Sequence, residues 1–83
     1  MKINLQVTYE NGTKKDIVCN AADLVAFEDK YSVSIAILGA ETKLSHLLFL
    51  AWHSEKRTGG TKDDFDKWLE TVASVGDSAN DPK

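Results

Sequence analysis

Residues 2–9 alternate. Ile3, Leu5, Val7 and Tyr9 fall on one side, and Lys2, Asn4, Gln6 and Thr8 on the other. That period of two predicts a strand with one buried face. "YENGTKKDIVC" then predicts a hairpin. A two-residue Asn11-Gly12 turn would set Val7 opposite Asp16 and Leu5 opposite Val18, leaving Ile17 and Cys19 on the polar face. A three-residue loop, Glu10-Asn11-Gly12, with Gly12 in the left-handed conformation, sets Leu5 opposite Ile17 and Ile3 opposite Cys19. A one-residue slip moves every side chain to the other face, so the register burying more apolar area, the second, is preferred.

Beyond the hairpin the period changes to that of a helix. Asn20 followed by Asp23 predicts an N-cap with an acid in the first turn. Leu24, Phe27 and Tyr31 continue it as a helix over about residues 21–31. "SVSIAIL", residues 32–38, alternates like a short strand but fits a helical turn or loop equally well. A second helix is predicted over 41–57, with Leu44, Leu47, Leu48 and Ala51 as its main stripe and Trp52 at the edge. His46 and His53 lie opposite, flanked by Phe49 and Leu50. Gly59-Gly60 ends it. Thr61 with Asp64 resembles a capping box, and Phe65, Trp68, Leu69 and Val72 predict a third helix over about 62–74.

The expected fold is therefore α+β: an N-terminal β-hairpin packed on about three helices, in the order β-β-α-α-α. Residues 1–75 make a single domain, and "GDSANDPK", 76–83, makes a flexible polar tail. A lone hairpin is not stable in water, so its apolar face must pack on the helices.

Composition narrows the class. At 83 residues, 42% hydrophobic and 28% charged, the chain suits one small globular domain with a modest core. A net charge of −3 argues against a nucleic-acid partner. The longest apolar run, Leu47–Trp52, is far short of the roughly 20 residues that span a bilayer, so no membrane role is expected. The alternating start does not read as a signal peptide. A single cysteine, Cys19, cannot form an intrachain disulfide, which suits a reducing compartment.

No constellation points to catalysis. His46 and His53 sit two helical turns apart, roughly 10 Å, too far to share a metal ion, and both are expected to face solvent. Ser45-His46 and His53-Ser54 are sequence neighbours whose side chains diverge on a helix. Cys19, opposite Ile3, is expected to be a buried, inert thiol. Asp63, Asp64, Asp66 and Glu70 suit the positive end of a helix dipole and its solvent face. Gly59-Gly60-Thr61-Lys62 lacks the spacing of a phosphate-binding loop. No catalytic residue, metal site or cofactor is expected. Phe49 and Leu50 stand apart, because two large apolar residues on the histidine side of a helix need cover from the chain or from a partner.

Three stretches carry a family resemblance: Asp23 to Glu28 ("DLVAFE"), Leu47 to His53 with Lys56-Arg57, and Phe65 to Val72. Together they resemble the small tail assembly chaperones of long-tailed bacteriophages, especially those of actinobacterial hosts. The resemblance implies a non-enzymatic protein of the host cytoplasm that coats the hydrophobic tape-measure protein and keeps it soluble until tail-tube subunits displace it. It implies the tape-measure protein as partner, with contact to the tail-tube protein and self-association as further expectations. Phe49, Leu50, Trp52 and His53 are the expected partner-binding residues, receiving an amphipathic helix. The alternatives are a small virion part, such as a head–tail connector or tail subunit, and a general protein-binding adaptor.

Overall fold

A computed structural model describes residues 3–32, 34, 36 and 43–77. The order is β1 (Ile3–Tyr9), β2 (Lys14–Cys19), α1 (Ala21–Tyr31), α2 (Leu44–Arg57), α3 (Phe65–Leu69) and β3 (Val72–Asp77). The α+β class is as expected.

The hairpin adopts the three-residue-loop register, with Leu5 opposite Ile17 and Ile3 opposite Cys19. Gly12 takes φ 91°, which the bulge needs and a side chain resists. Asn11 Oδ1 accepts from Thr13 N at 2.9 Å, fixing the turn locally. Helix α1 begins as its sequence predicts. Asn20 caps it, and Asp23 completes a capping box by accepting from Asn20 N at 2.9 Å. It ends at Ser32, a left-handed residue (φ 55°) whose N–H donates to Glu28 O.

The third helix of the expectation is only partly right. It runs over Phe65–Leu69, five residues rather than about thirteen, and the chain then enters a strand. The N-cap is Asp64, whose side chain accepts from Lys67 N at 2.9 Å, so Thr61 does not cap it. Phe65, Trp68, Leu69 and Val72 satisfy helical spacing for one turn. Thereafter the β-branched Val72 and Val75 find a better place beside β1, whose second edge would otherwise be unpaired. The sheet is antiparallel with order β2-β1-β3, and β3 carries a bulge opposite Thr8/Tyr9. Gly76 and Asp77, which the sequence reading places in the polar tail, belong to this strand; residues 78–83 lie outside the described residues.

Of the ambiguous 32–38 segment only Ser32, Ser34 and Ala36 are described, and the strand-or-turn question falls outside them. Helix α2 is described from Leu44; its expected first residues, 41 and 42, fall outside as well.

The helices cover one face of the sheet. The core gathers Leu5, Val7, Ile17 and Cys19 from that face with Leu24 and Phe27 of α1, Phe49, Leu50 and Ala51 of α2, and Trp68 of α3. The other face carries Asn4, Gln6, Thr8, Asp16, Val18 and Ser74, and Gln6 Nε2 donates to Asp16 Oδ1 across it at 3.2 Å. A polar outer face is what an antiparallel sheet covered on one side requires.

Candidate functional site

Helix α2 carries all four expected partner-binding residues, Phe49, Leu50, Trp52 and His53, and its rotation decides their roles. The stripe expected to face inward does not. Leu44 is 61% exposed and Leu47 and Leu48 are half-buried, while His46, Phe49, Leu50, Ser54 and Glu55 are buried. Of the expected stripe only Ala51 is fully buried. The histidine side of the helix is the inner side, so the expectation that both histidines face solvent is corrected.

The reason lies in a buried acid. Asp23 is fully buried, and four donors converge on its carboxylate. Arg57 Nε reaches Oδ1 at 3.1 Å and Arg57 Nη2 reaches Oδ2 at 2.9 Å. Asn20 N donates to Oδ2 at 2.9 Å, and His53 Nδ1 lies 2.6 Å from Oδ1. Burial alone pushes the Asp23 carboxyl up, but hydrogen bonds from Arg57, His53 and Asn20 outweigh it and hold the group below the ordinary carboxylate range. Ser54 extends the cluster, donating from Oγ to Val18 O of β2 at 2.9 Å and receiving Arg57 Nη2 at 3.3 Å. Cys19 Sγ donates to Leu50 O at 3.4 Å. These contacts lock α2 to α1 and β2 in one rotation. Positions 53 and 57 are one helical turn apart, so both side chains reach the same acid.

The Asp23–His53 pair has the geometry that orients a histidine base in hydrolases, yet Arg57 shares the same carboxylate, and among the described residues no nucleophile is poised beside it. Ser54 Oγ is committed to Val18 O. The Cys19 thiol, raised chiefly by burial and further by Asp23, is pushed up to about 12 and stays protonated. Its burial agrees with the expected inert thiol. Among the described residues, no group of three His, Cys, Asp or Glu side chains can hold a metal ion.

Phe49 and Leu50 are 6% and 0% exposed, so their cover comes from within the chain. Phe49 sits amid rings: its centroid lies 5.6 Å from Tyr31, 5.7 Å from Trp52, 5.9 Å from His53 and 5.8 Å from Phe65. As accessible docking residues Phe49 and Leu50 are therefore corrected. Trp52 and His53 remain half-exposed. Trp52 is held by its Nε1 donating to Asp63 O at 3.0 Å, with Lys56 Nζ 5.3 Å above its ring.

What the helical layer does present is aliphatic. Leu44 on α2 and Val25 on α1 are each more than half exposed, and Leu48 and Trp52 follow Leu44 at intervals of four. Leu44 and Leu48 of this strip belong to the stripe that the sequence pattern predicts to face inward, with Trp52 at its edge. The acid that reverses the assignment, Asp23, read only as a helix-start residue. A hollow of about 310 Å³ at the hairpin end is lined by Tyr9, Glu10, Asn11 and Thr71. Burial raises the Tyr9 hydroxyl, with Trp68 acting in the opposite sense. Among the described residues, no helix is long and apolar enough to cross a membrane.

No family model matches the chain, and neither a curated protein nor a solved structure matches it.

Proposed function

We propose that this domain is a non-enzymatic tail assembly chaperone of a long-tailed bacteriophage, holding the tape-measure protein soluble in the host cytoplasm. The sequence resemblance carries the phage context. The observation that best supports a protein-binding role is the aliphatic strip: Leu44 61% and Val25 56% exposed on a layer whose inner face is fully occupied. Apolar side chains left outward on two helices suit reversible contact with an amphipathic helix, which docks by apolar anchors at helical spacing. In this reading Leu44, Leu48 and Trp52 replace Phe49 and Leu50 as contact residues, and His53 acts behind them as a holder of Asp23.

Co-expression with the tape-measure protein of the same genome tests the reading. The expected result is a soluble tape-measure protein carrying many copies of this chain, lost on Leu44→Asp with Val25→Asp while the variant itself stays folded. A tape-measure protein that stays insoluble, with this chain found in mature particles, would instead make it a virion part. Solubilisation that survives the double substitution would remove the strip from the site.

A further inference from the structure

The tip of the hairpin joins two residues whose chemistry recurs nowhere else in the chain. Of the four asparagines, only Asn11 precedes a glycine. Asn4 precedes the fully buried Leu5, Asn20 precedes Ala21 with its amide oxygen taken by Ala22 N at 3.0 Å, and Asn80 precedes Asp81. Asn11, Gly12 and Thr13 are exposed, and a Cβ built on Gly12 would meet nothing within 4 Å. With no side chain of its own and no neighbour over it among the described residues, the Gly12 nitrogen is sterically open to reaction.

Two hydrogen bonds hold the groups that would react. Thr13 N donates to Asn11 Oδ1 at 2.9 Å, which fixes the amide over the turn and draws electron density from its Cγ. Gly12 N donates to Tyr9 O at 2.9 Å. The electron pair with which that nitrogen would attack lies along its N–H direction, so in the closed turn it points at Tyr9 O and away from Cγ. The first bond activates the electrophile. The second turns the nucleophile aside.

We propose that Asn11 is a site of spontaneous deamidation, gated by the hydrogen bond from Gly12 N to Tyr9 O. When that bond opens, the Gly12 nitrogen loses its proton to solvent and attacks Asn11 Cγ. The N–Cγ bond forms, the Cγ–Nδ2 bond breaks, and Nδ2 takes up a proton and leaves as ammonia. Water then opens the cyclic imide. Opening at Cγ leaves an aspartate at position 11; opening at the main-chain carbonyl leaves an isoaspartyl link, in which the chain runs through the side chain. Either product adds a carboxylate beside Glu10. The aspartate keeps an oxygen for Thr13 N. The isoaspartyl link lengthens a three-residue loop by one backbone carbon, so the bonds from Gly12 N to Tyr9 O and from Tyr9 N to Thr13 O cannot both close. The hairpin tip is thus a clock that runs only while the turn is open.

The test ages the full chain in neutral buffer made with oxygen-labelled water, once folded and once unfolded in urea, and maps its peptides by mass spectrometry. Conversion is expected at Asn11 ahead of Asn4, Asn20 and Asn80, seen as loss of ammonia with gain of a labelled oxygen. Hydrogen exchange at the Gly12 amide requires the same N–H to leave Tyr9 O, so both processes pass through one local opening. Conversion in the folded chain is therefore expected to be slower than in urea by the same factor by which folding slows Gly12 exchange. Absence of conversion at Asn11 in urea, or earlier conversion at another asparagine there, would overturn the site. Conversion at the urea rate in a folded chain whose Gly12 amide is protected would overturn the gate. So would a slowing that does not match that protection.

Discussion

At the β2 corner, α2 meets α1 and the sheet through directional polar contacts: Asp23 with Arg57 and His53, and Ser54 with Val18 O. At the β3 end it meets α3 through rings, with Phe65 against Phe49 and Trp52, while Trp68 of α3 stands edge-on to Tyr9 of β1 at 6.3 Å. The two junctions do different work. Ring packing supplies buried area and tolerates several rotations of a helix. The carboxylate accepts from fixed directions and admits one rotation. A helix apolar nearly all round, as α2 is in its first half, cannot be oriented by burial alone. The polar corner therefore sets which side of α2 is inside, and the apolar end contributes the larger share of cohesion.

The largest effect is expected at the apolar end. Trp68 is 2% exposed, and Trp68→Ala should cost about 4 kcal/mol, much of the stability of a domain this size. Urea unfolding followed by far-UV circular dichroism measures it. Next comes the polar corner: Asp23→Ala strands two basic side chains and removes half the capping box, at about 3 kcal/mol by the same measurement. The pH dependence follows in sign. The folded carboxyl lies below its unfolded value, so its contribution is complete above about pH 4 to 5 and is lost as pH falls through the folded value. Acid unfolding should accordingly flatten in Asp23→Ala. Ser54→Ala, which leaves Val18 O without its donor, should cost about 1 kcal/mol. The smallest change is expected at His46, whose Nδ1 is buried between Phe27 and Tyr31 with no hydrogen-bond partner among the described residues. His46→Phe, close in shape, should stay within about 1 kcal/mol of the parent, because it removes an unsatisfied polar atom.

The legible parts of the sequence were those with local causes. The hairpin register followed from apolar pairing and a glycine, and α1 followed from its cap. The start of β3 was hidden because Val72 fits a helical stripe as well as a strand. Only the presence of β1's open edge, distant in sequence, favours the strand. The rotation of α2 was hidden for a similar reason. Histidines and an arginine opposite a leucine stripe read as a solvated face, unless a buried acid waits across the fold. Nothing near Asp23 in sequence distinguishes it from any acid in a first helical turn. Phe49 and Leu50 needed cover, and the sequence could not say that Tyr31, Trp52 and Phe65 would provide part of it for Phe49.

The rotation of α2 is the claim on which the outward strip, and with it the proposed partner surface, depends. A double-mutant cycle on Asp23 and Arg57, read by urea unfolding, tests it most directly. With the carboxylate in place, Arg57→Ala should destabilise the domain clearly; in the Asp23→Ala background the same substitution should cost little or become favourable. Equal cost in both backgrounds would mean that the two side chains do not meet, and that the histidine side of α2 does not face the core.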